Sequence, residues 1–423
     1  MFRNLRGRIM RGEGFLRNIS VLMAGTIAAH MITVAGIPIT TRLFNPEAFS
    51  ILAIYSAILS ILLTLVTLSM HLGIPIAATH RQALSLVAGS ALIIVIFTVV
   101  LSFAVVFGSH WIIGALGRPD FEPYLPLLIP GCLLGGGYAL LQMWFSRRKQ
   151  FGLVARTRVV RSAGGTGTQL AFGFAGGGPV GLVLGHLLYN GLGVFGLSRR
   201  LIRDEAGKLK ELTVADVRQG LRSNKKFAIF TTPENLANVA AIQLPVLAIA
   251  ANPETGEVGQ LYLAQSIMML PMMLIGSSVG QAFIADAPEY FRRGELWHFT
   301  KRVLRGLTLT GAPLLLLAGL IAPFLAGPIL GEGWTRTGEL IAWITPWMIL
   351  QFLSSPLSTI FYIAGKQWLA LLVQLIGLCL RFGVVLVAIS MAPGWAMEAY
   401  ALSGAAFYLS MLVVMLAVAR KRQ

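Results

Sequence analysis

In the stretch LALLVQLIGLCLRFGVVLVAI, Arg381 stands inside a long apolar run, with Gln374 and Gly377 at i−7 and i−4 on the same helical face. A guanidinium there stays charged, and its planar fork suits a phosphate or carboxylate two hydrogen bonds at a time. A second run, ARTRVVRSAGGTGTQL, places Arg158, Arg161, Gly165, Thr168 and Gln169 on one helical stripe. In a third, His186, Asn190 and Gly193 repeat the pattern. Together these residues suit the binding of a compact anion, with histidine available to move protons. Ionisable groups inside membrane spans are functional candidates because lipid solvates them poorly. Arg42, His71, Glu234 and His30 complete the set.

Each has a plainer reading. Arg381 either faces a cavity or snorkels to the outer headgroups. Arg158 and Arg161 either bind a ligand or anchor the inner end of their helix. His186 and Asn190 fit an interhelical hydrogen bond, Glu234 after Pro233 fits a helix start, and His30 fits packing. Enzyme chemistry finds no counterpart: no paired carboxylates, His/Cys cluster, phosphate loop or nucleophile elbow occurs.

The elements that must position these residues follow from composition. The 423 residues are 56% hydrophobic and 12% charged, against about 25% charged in a soluble domain. Only lipid solvates so much apolar side chain, which makes this an all-α polytopic membrane protein. Twelve spans are expected, near residues 19–41, 49–74, 83–108, 122–145, 155–176, 178–198, 227–250, 258–284, 303–330, 338–361, 367–391 and 394–418. The net charge of +17 would suggest nucleic acid in a soluble chain. Here all but Arg42, Arg118, Arg336 and Arg381 of the 34 Lys and Arg fall on one side of the membrane. The positive-inside rule then puts both termini in the cytoplasm and excludes nucleic acid as partner. Cys132 and Cys379 lie in apolar runs, and both are expected to be packing residues.

The chain also repeats itself. Asn45-Pro46-Glu47 and Asn252-Pro253-Glu254 share one ungapped offset with Pro38 and Pro245, Tyr55 and Tyr262, and Ala57 and Ala264. The expected organisation is a basic tail (1–18), an N-lobe of spans one to six (19–198), a cytoplasmic linker (199–226), a C-lobe of spans seven to twelve (227–418) and a short tail (419–423). Six spans per half make the halves parallel repeats, which commonly enclose a midplane site.

At these residues the sequence resembles the bacterial polysaccharide flippases, the Wzx-like (O-antigen) branch of the multidrug/oligosaccharidyl-lipid/polysaccharide exporter superfamily. The resemblance runs through GTIAAHMITVAGIPITTRLFNPEAFSILAIYSAIL, LGRPDFEPYL, MWFSRRKQFGLVARTRVVRS, GQLYLAQSIMMLPMMLIGSSVGQAF and QFLSSPLSTIFYIAGKQ, in that order. It implies two pseudo-symmetric six-helix lobes around a central cavity. It also implies alternating access, moving undecaprenyl-diphosphate-linked oligosaccharide from the inner to the outer leaflet of the bacterial inner membrane. The substrate-binding residues would be Arg42, Arg158, Arg161, Gln169, Gln374 and Arg381. His71, His186, Asn190 and Glu234 are the candidates for coupling to protons or sodium, with no other cofactor and no metal. Membrane lipids, a polysaccharide polymerase and a chain-length regulator are the implied partners. The sequence departs from the pattern at Ser69-Met70-His71, where relatives often read Arg-Tyr-Glu. The rival readings are a drug or cation antiporter of the same superfamily and a non-transporting scaffold for glycan assembly.

Overall fold

The computed structural model describes residues 2–272 and 276–420; the last residues of the expected C-terminal tail, 421–423, lie outside them. Among the described residues there is no β-strand. The helices are α1 (Phe2–Leu43), α2 (Pro46–Val66), α3 (His80–Leu116), α4 (Leu128–Arg147), α5 (Phe151–Phe174), α6 (Gly178–Gly191), α7 (Val194–Lys210), α8 (Val214–Ser223) and α9 (Thr232–Ala251). They continue as α10 (Val258–Pro271), α11 (Ser277–Arg292), α12 (Leu296–Thr310), α13 (Ala312–Leu330), α14 (Thr335–Ser354), α15 (Ile360–Ile363), α16 (Gln367–Met391) and α17 (Ala396–Arg420).

Among the described residues ten segments are long and apolar enough to cross a bilayer. The other two of the expected twelve are α5 and the segment carrying α10 and α11. Helix α5 is less apolar than these because Arg156, Arg158, Arg161 and its run of Gly and Thr dilute it. It is held instead by neighbours. Small residues let backbones approach closely: a Cβ on Gly25 of α1 would lie 2.5 Å from Ala155, and one on Gly165 would lie 2.8 Å from the Gly185 carbonyl of α6.

Packing divides the chain into two compact units. One comprises Met1–Leu43, Ile58–Ala115 and Pro119–Asn235; the other comprises Phe44–Ala57, Leu116–Arg118 and Leu236–Gln423. The start of α2 therefore belongs with the second unit, where Gly259 donates to Ser50 Oγ at 2.9 Å. A Cβ on Gly259 would lie 2.2 Å from the Pro46 carbonyl, so only glycine fits that crossing.

The repeated Asn-Pro-Glu sequences begin alike and then diverge. Asn45 caps α2 by accepting from the Ala48 N–H at 2.9 Å, and Asn252 accepts from the Glu254 N–H at 3.0 Å. Proline follows each cap, where its missing N–H costs nothing. In the first copy the helix runs straight on from Pro46. In the second, Gly256 at φ 83° breaks it, and α10 starts only at Val258. One further irregularity lies before α9. Phe227–Thr231 forms a wide turn in which the Thr232 N–H bonds the Phe227 carbonyl, five residues back.

Candidate functional site

In the first unit, the polar residues of α5 form two adjacent i, i+4 rows rather than one stripe. Arg158 and Ser162 look towards α1. Arg158 donates to Thr26 Oγ1 at 2.6 Å, Ser162 donates to the Ala29 carbonyl, and Thr33 Oγ1 lies 2.8 Å from Ser162 Oγ. A Cβ on Gly36 would lie 2.4 Å from Thr166, the next residue of the row. Arg161, Gly165 and Gln169 look towards α6. Arg161 donates to the Tyr189 carbonyl and stands 3.6 Å over the Tyr138 ring and 5.4 Å from that of Tyr189. Gln169 donates weakly to the Leu182 carbonyl at 3.5 Å.

Both arginines are half-buried, and among the described residues neither has a carboxylate partner. Their positive charge is met only by hydroxyls, a carbonyl and ring faces. Such an environment stabilises a guanidinium moderately and leaves its charge uncompensated. Arginine with no carboxylate beside it, at a membrane helix and only partly covered, can accept an anionic group by exchanging weak neutral partners for charge-assisted bonds.

Arg381, in the second unit, is placed differently. Gln374, Gly377 and Arg381 do share the buried side of α16, together with Ala370, Val373 and Val385. Arg381 is 0% exposed. Its guanidinium sits 4.4 Å over the Trp347 ring of α14 and 5.1 Å from the Tyr400 ring of α17, and donates to Tyr400 Oη at 3.0 Å. Tyr400 in turn donates to the Ile242 carbonyl of α9 at 2.9 Å. One arginine thus ties α16, α14, α17 and α9 together. Neither a cavity wall nor an outer headgroup layer surrounds it here. Gln374 Oε1 and Arg381 Nε are buried without a hydrogen-bond partner.

The remaining candidates are scattered. Arg42 is exposed in the last turn of α1, and Glu234 lies half-buried in the first turn of α9, where a carboxylate complements the helix dipole. His71 sits in a short 3-10 turn, Met70–Gly73, with Nδ1 buried and without a partner. His186 packs against Tyr189, ring centroids 6.4 Å apart. Asn190 donates to the His186 carbonyl of its own helix, so its amide serves α6 locally. Cys132 is buried, whereas Cys379 is exposed, on the apolar outside of α16 rather than in a core. Among the described residues no group of His, Cys, Asp and Glu suits a metal ion.

Sequence reading did not find the aromatic partners. Tyr138 and Tyr189 on α4 and α6, and Trp347 and Tyr400 on α14 and α17, hold the arginines. Each lies on a different helix from the arginine it contacts, so no spacing announces it. Nor did sequence show that Arg147, in the last turn of α4, bonds the carbonyls of Ile74, Pro75, Ala77 and Thr79 at 2.7–3.3 Å. Beside it, Glu205 is nearly sealed and held by His80 at 2.9 Å, Lys208 at 3.3 Å and Arg148 at 3.5 Å. These are clamps on the loop after α2 and on α7.

The helices and their polar layers define a multi-pass membrane protein of the two-lobe, twelve-helix kind. The chain matches the family described as "Polysaccharide biosynthesis protein" over residues 15–284, more than half its length, and it belongs to that family. No curated protein matches it in sequence. Its fold is shared with solved transporters and flippases of the MOP superfamily. The inward-facing conformation of a multidrug resistance MATE family transporter aligns at TM-score 0.69 and 12% identity, covering 94% of this chain and 96% of that one. The lipid II flippase MurJ in an inward closed conformation aligns at TM-score 0.66 and 13% identity, covering 92% and 87%. The MATE multidrug transporter DinF-BH in complex with R6G aligns at 0.63 and 16%, covering 93% and 94%.

Proposed function

We propose that the protein is a flippase that moves undecaprenyl-diphosphate-linked oligosaccharide from the inner to the outer leaflet of the bacterial inner membrane. Both termini lie in the cytoplasm in this reading, and an ion gradient drives alternating access. The observation that carries it is the arginine pair of α5. Arg158 and Arg161 are half-buried on a membrane helix with only neutral partners, the arrangement a diphosphate requires when it gives up water. Family membership supports a glycan as the group attached. The lipid tail stays in the bilayer, so the protein needs to solvate only the headgroup.

The MATE alignments favour a second reading, export of a drug or cation. A cation site asks for carboxylates free to receive it. Among the described residues the buried carboxylates, Glu205 and Glu398, are both engaged by cations: Glu205 by Lys208 and Arg148, beside a hydrogen bond with His80, and Glu398 by Arg336. The arginines are the groups without counter-charge, and they favour an anion.

The test is depletion of the protein followed by replacement with the double variant Arg158→Gln/Arg161→Gln. Each lost charge-assisted bond is worth about 1.5–3 kcal/mol, so export should fall by roughly tenfold or more per arginine while protein level stays normal. Lipid-linked sugar should accumulate in the inner leaflet. Undiminished glycan export by the double variant would remove the basis of the proposal.

A further inference from the structure

The linker between α7 and α9 has a task of its own. Two kinds of basic residue stand along helix α8. Arg81, on α3, is spent: it makes two bonds to Asp216, at 3.1 and 2.7 Å, and with them fastens α8 to α3. Asp216 also accepts from the Thr213 N–H and hydroxyl, closing a capping box at the start of α8. Further along, Gly220 packs on Ser85 and Leu221 on Gly89, so α8 runs beside α3 in the same direction. The cations of its other side, Arg218 and Arg222, and Lys225 and Lys226 just beyond, are exposed. Among the described residues they have no carboxylate partner.

Their depth can be read from α3. Its exposed apolar side chains run from Leu92 through Val99 and Phe103 to Trp111, an interval of about 29 Å along a helix. That matches the roughly 30 Å hydrocarbon core, with a tryptophan at its far edge as interfaces favour. Leu92 therefore marks where lipid tails begin on the linker's side. Gly89, against Leu221, lies about 5 Å before it, in the headgroup layer. The other flank agrees. Three residues after Lys226, Ile229 and then Phe230 are 54% and 63% exposed, the start of the next lipid-facing surface. Arg222, Lys225 and Lys226 thus stand at headgroup level, with Arg218 one turn further out.

Val214, Ala215, Arg218, Gln219 and Arg222 line a concavity of about 440 Å³. Its two guanidiniums have no acid to answer them, whereas Arg81 in the neighbouring groove is matched by Asp216. We infer that the exposed side of α8 is a binding site for anionic phospholipid headgroups of the leaflet on the linker's side, with the phosphate between Arg218 and Arg222. Four basic residues in so short a segment at the membrane surface are enough for selective attraction of anionic lipid. The inference is independent of what the protein carries.

Native mass spectrometry of the full-length protein, released from vesicles of mixed phosphatidylglycerol and phosphatidylcholine, tests it. The wild type should retain phosphatidylglycerol preferentially. Arg218→Gln/Arg222→Gln/Lys225→Gln/Lys226→Gln, all on exposed positions, should lose that preference by about tenfold or more. Arg199→Gln/Arg203→Gln/Lys210→Gln, which removes charge elsewhere on α7, should keep it. Equal retention by the quadruple variant, or equal loss in the α7 variant, would overturn the site. Displacement of phosphatidylglycerol by undecaprenyl diphosphate from the wild type but not from the quadruple variant would also overturn it, by making α8 a substrate-capture surface.

Discussion

The arginines of the first unit and Arg381 of the second are the same residue in the same medium, and the surroundings give them opposite characters. Arg158 and Arg161 are half-buried, with single neutral acceptors and, for Arg161, tyrosine faces. Arg381 is sealed, and its hydrogen-bond partner Tyr400 is itself tied to a backbone carbonyl on a fourth helix. A partly covered cation can exchange partners as a ligand arrives. A sealed one can do so only by opening the core around it. Charge inside a membrane span therefore says nothing about use until its neighbours are known. Burying a charge costs several kcal/mol unless it is compensated, and aromatic rings and tyrosine hydroxyls compensate only in part.

The comparison is sharpest at Arg381. Arg381→Ala leaves a void and strips Tyr400 of its cation, so a loss of about 3–5 kcal/mol of stability is expected. It should appear as a lower melting temperature in detergent and reduced protein level. Arg381→Met fills the space without charge and should recover most of that stability. Stable Arg381→Met that exports glycan normally would make the residue a strut. Stable Arg381→Met without export would restore Arg381 to the transport path.

Tyr400→Phe comes next. It removes an acceptor from Arg381 and a donor from the Ile242 carbonyl, both buried, at a cost of about 1–3 kcal/mol. The matched change in the first unit, Tyr138→Phe, keeps the ring under Arg161 and loses only a 3.3 Å contact with Thr157. Its effect should stay within about 0.5 kcal/mol. Thermal melts of the two variants side by side check the contrast; equal losses would mean that the first-unit site is as tightly built as the second.

Acid provides the smallest and most local test. Among the described residues neither Arg158 and Arg161 nor Arg381 has a carboxylate partner to titrate, so acid sensitivity is sought elsewhere. The Arg81 guanidinium, followed by the Thr213 backbone, holds Asp216 well below the usual carboxylate range. A carboxyl depressed in the folded state stabilises it above the unfolded pKa, near 4, and that contribution is lost as pH falls through the folded value. The protection of α8 against hydrogen exchange, corrected for the intrinsic pH dependence of amide exchange, should therefore be unchanged between neutrality and about pH 4 and fall below it. Arg81→Gln should lower that protection at neutral pH and remove most of the dependence.

Much of this was legible in the sequence, for physical reasons. Spans are dictated by the apolar length a bilayer demands, so Gln367–Met391 was read to its observed bounds. The stripe of Gln374, Gly377 and Arg381 followed from helical periodicity. What spacing within one helix cannot give is the neighbour. The stripe on α5 split because α1 takes Arg158 and α6 takes Arg161, and Arg381 was closed in by Trp347 and Tyr400 from other helices. The divergence of the two Asn-Pro-Glu copies turned on Gly256, a single residue able to adopt positive φ where the first copy has Phe49.

The wide turn at Phe227–Thr231 has a consequence for chain length. A turn closed over five residues holds one residue more than an α-helix needs. Deleting a residue from most membrane helices would swing everything beyond it through about 100°, carrying lipid-facing side chains inward. Here the surplus can be given up and the ordinary ladder closes behind it, with every backbone amide still paired. This turn is a site where the protein should tolerate a length variant, and related chains one residue shorter here should lack the wide turn.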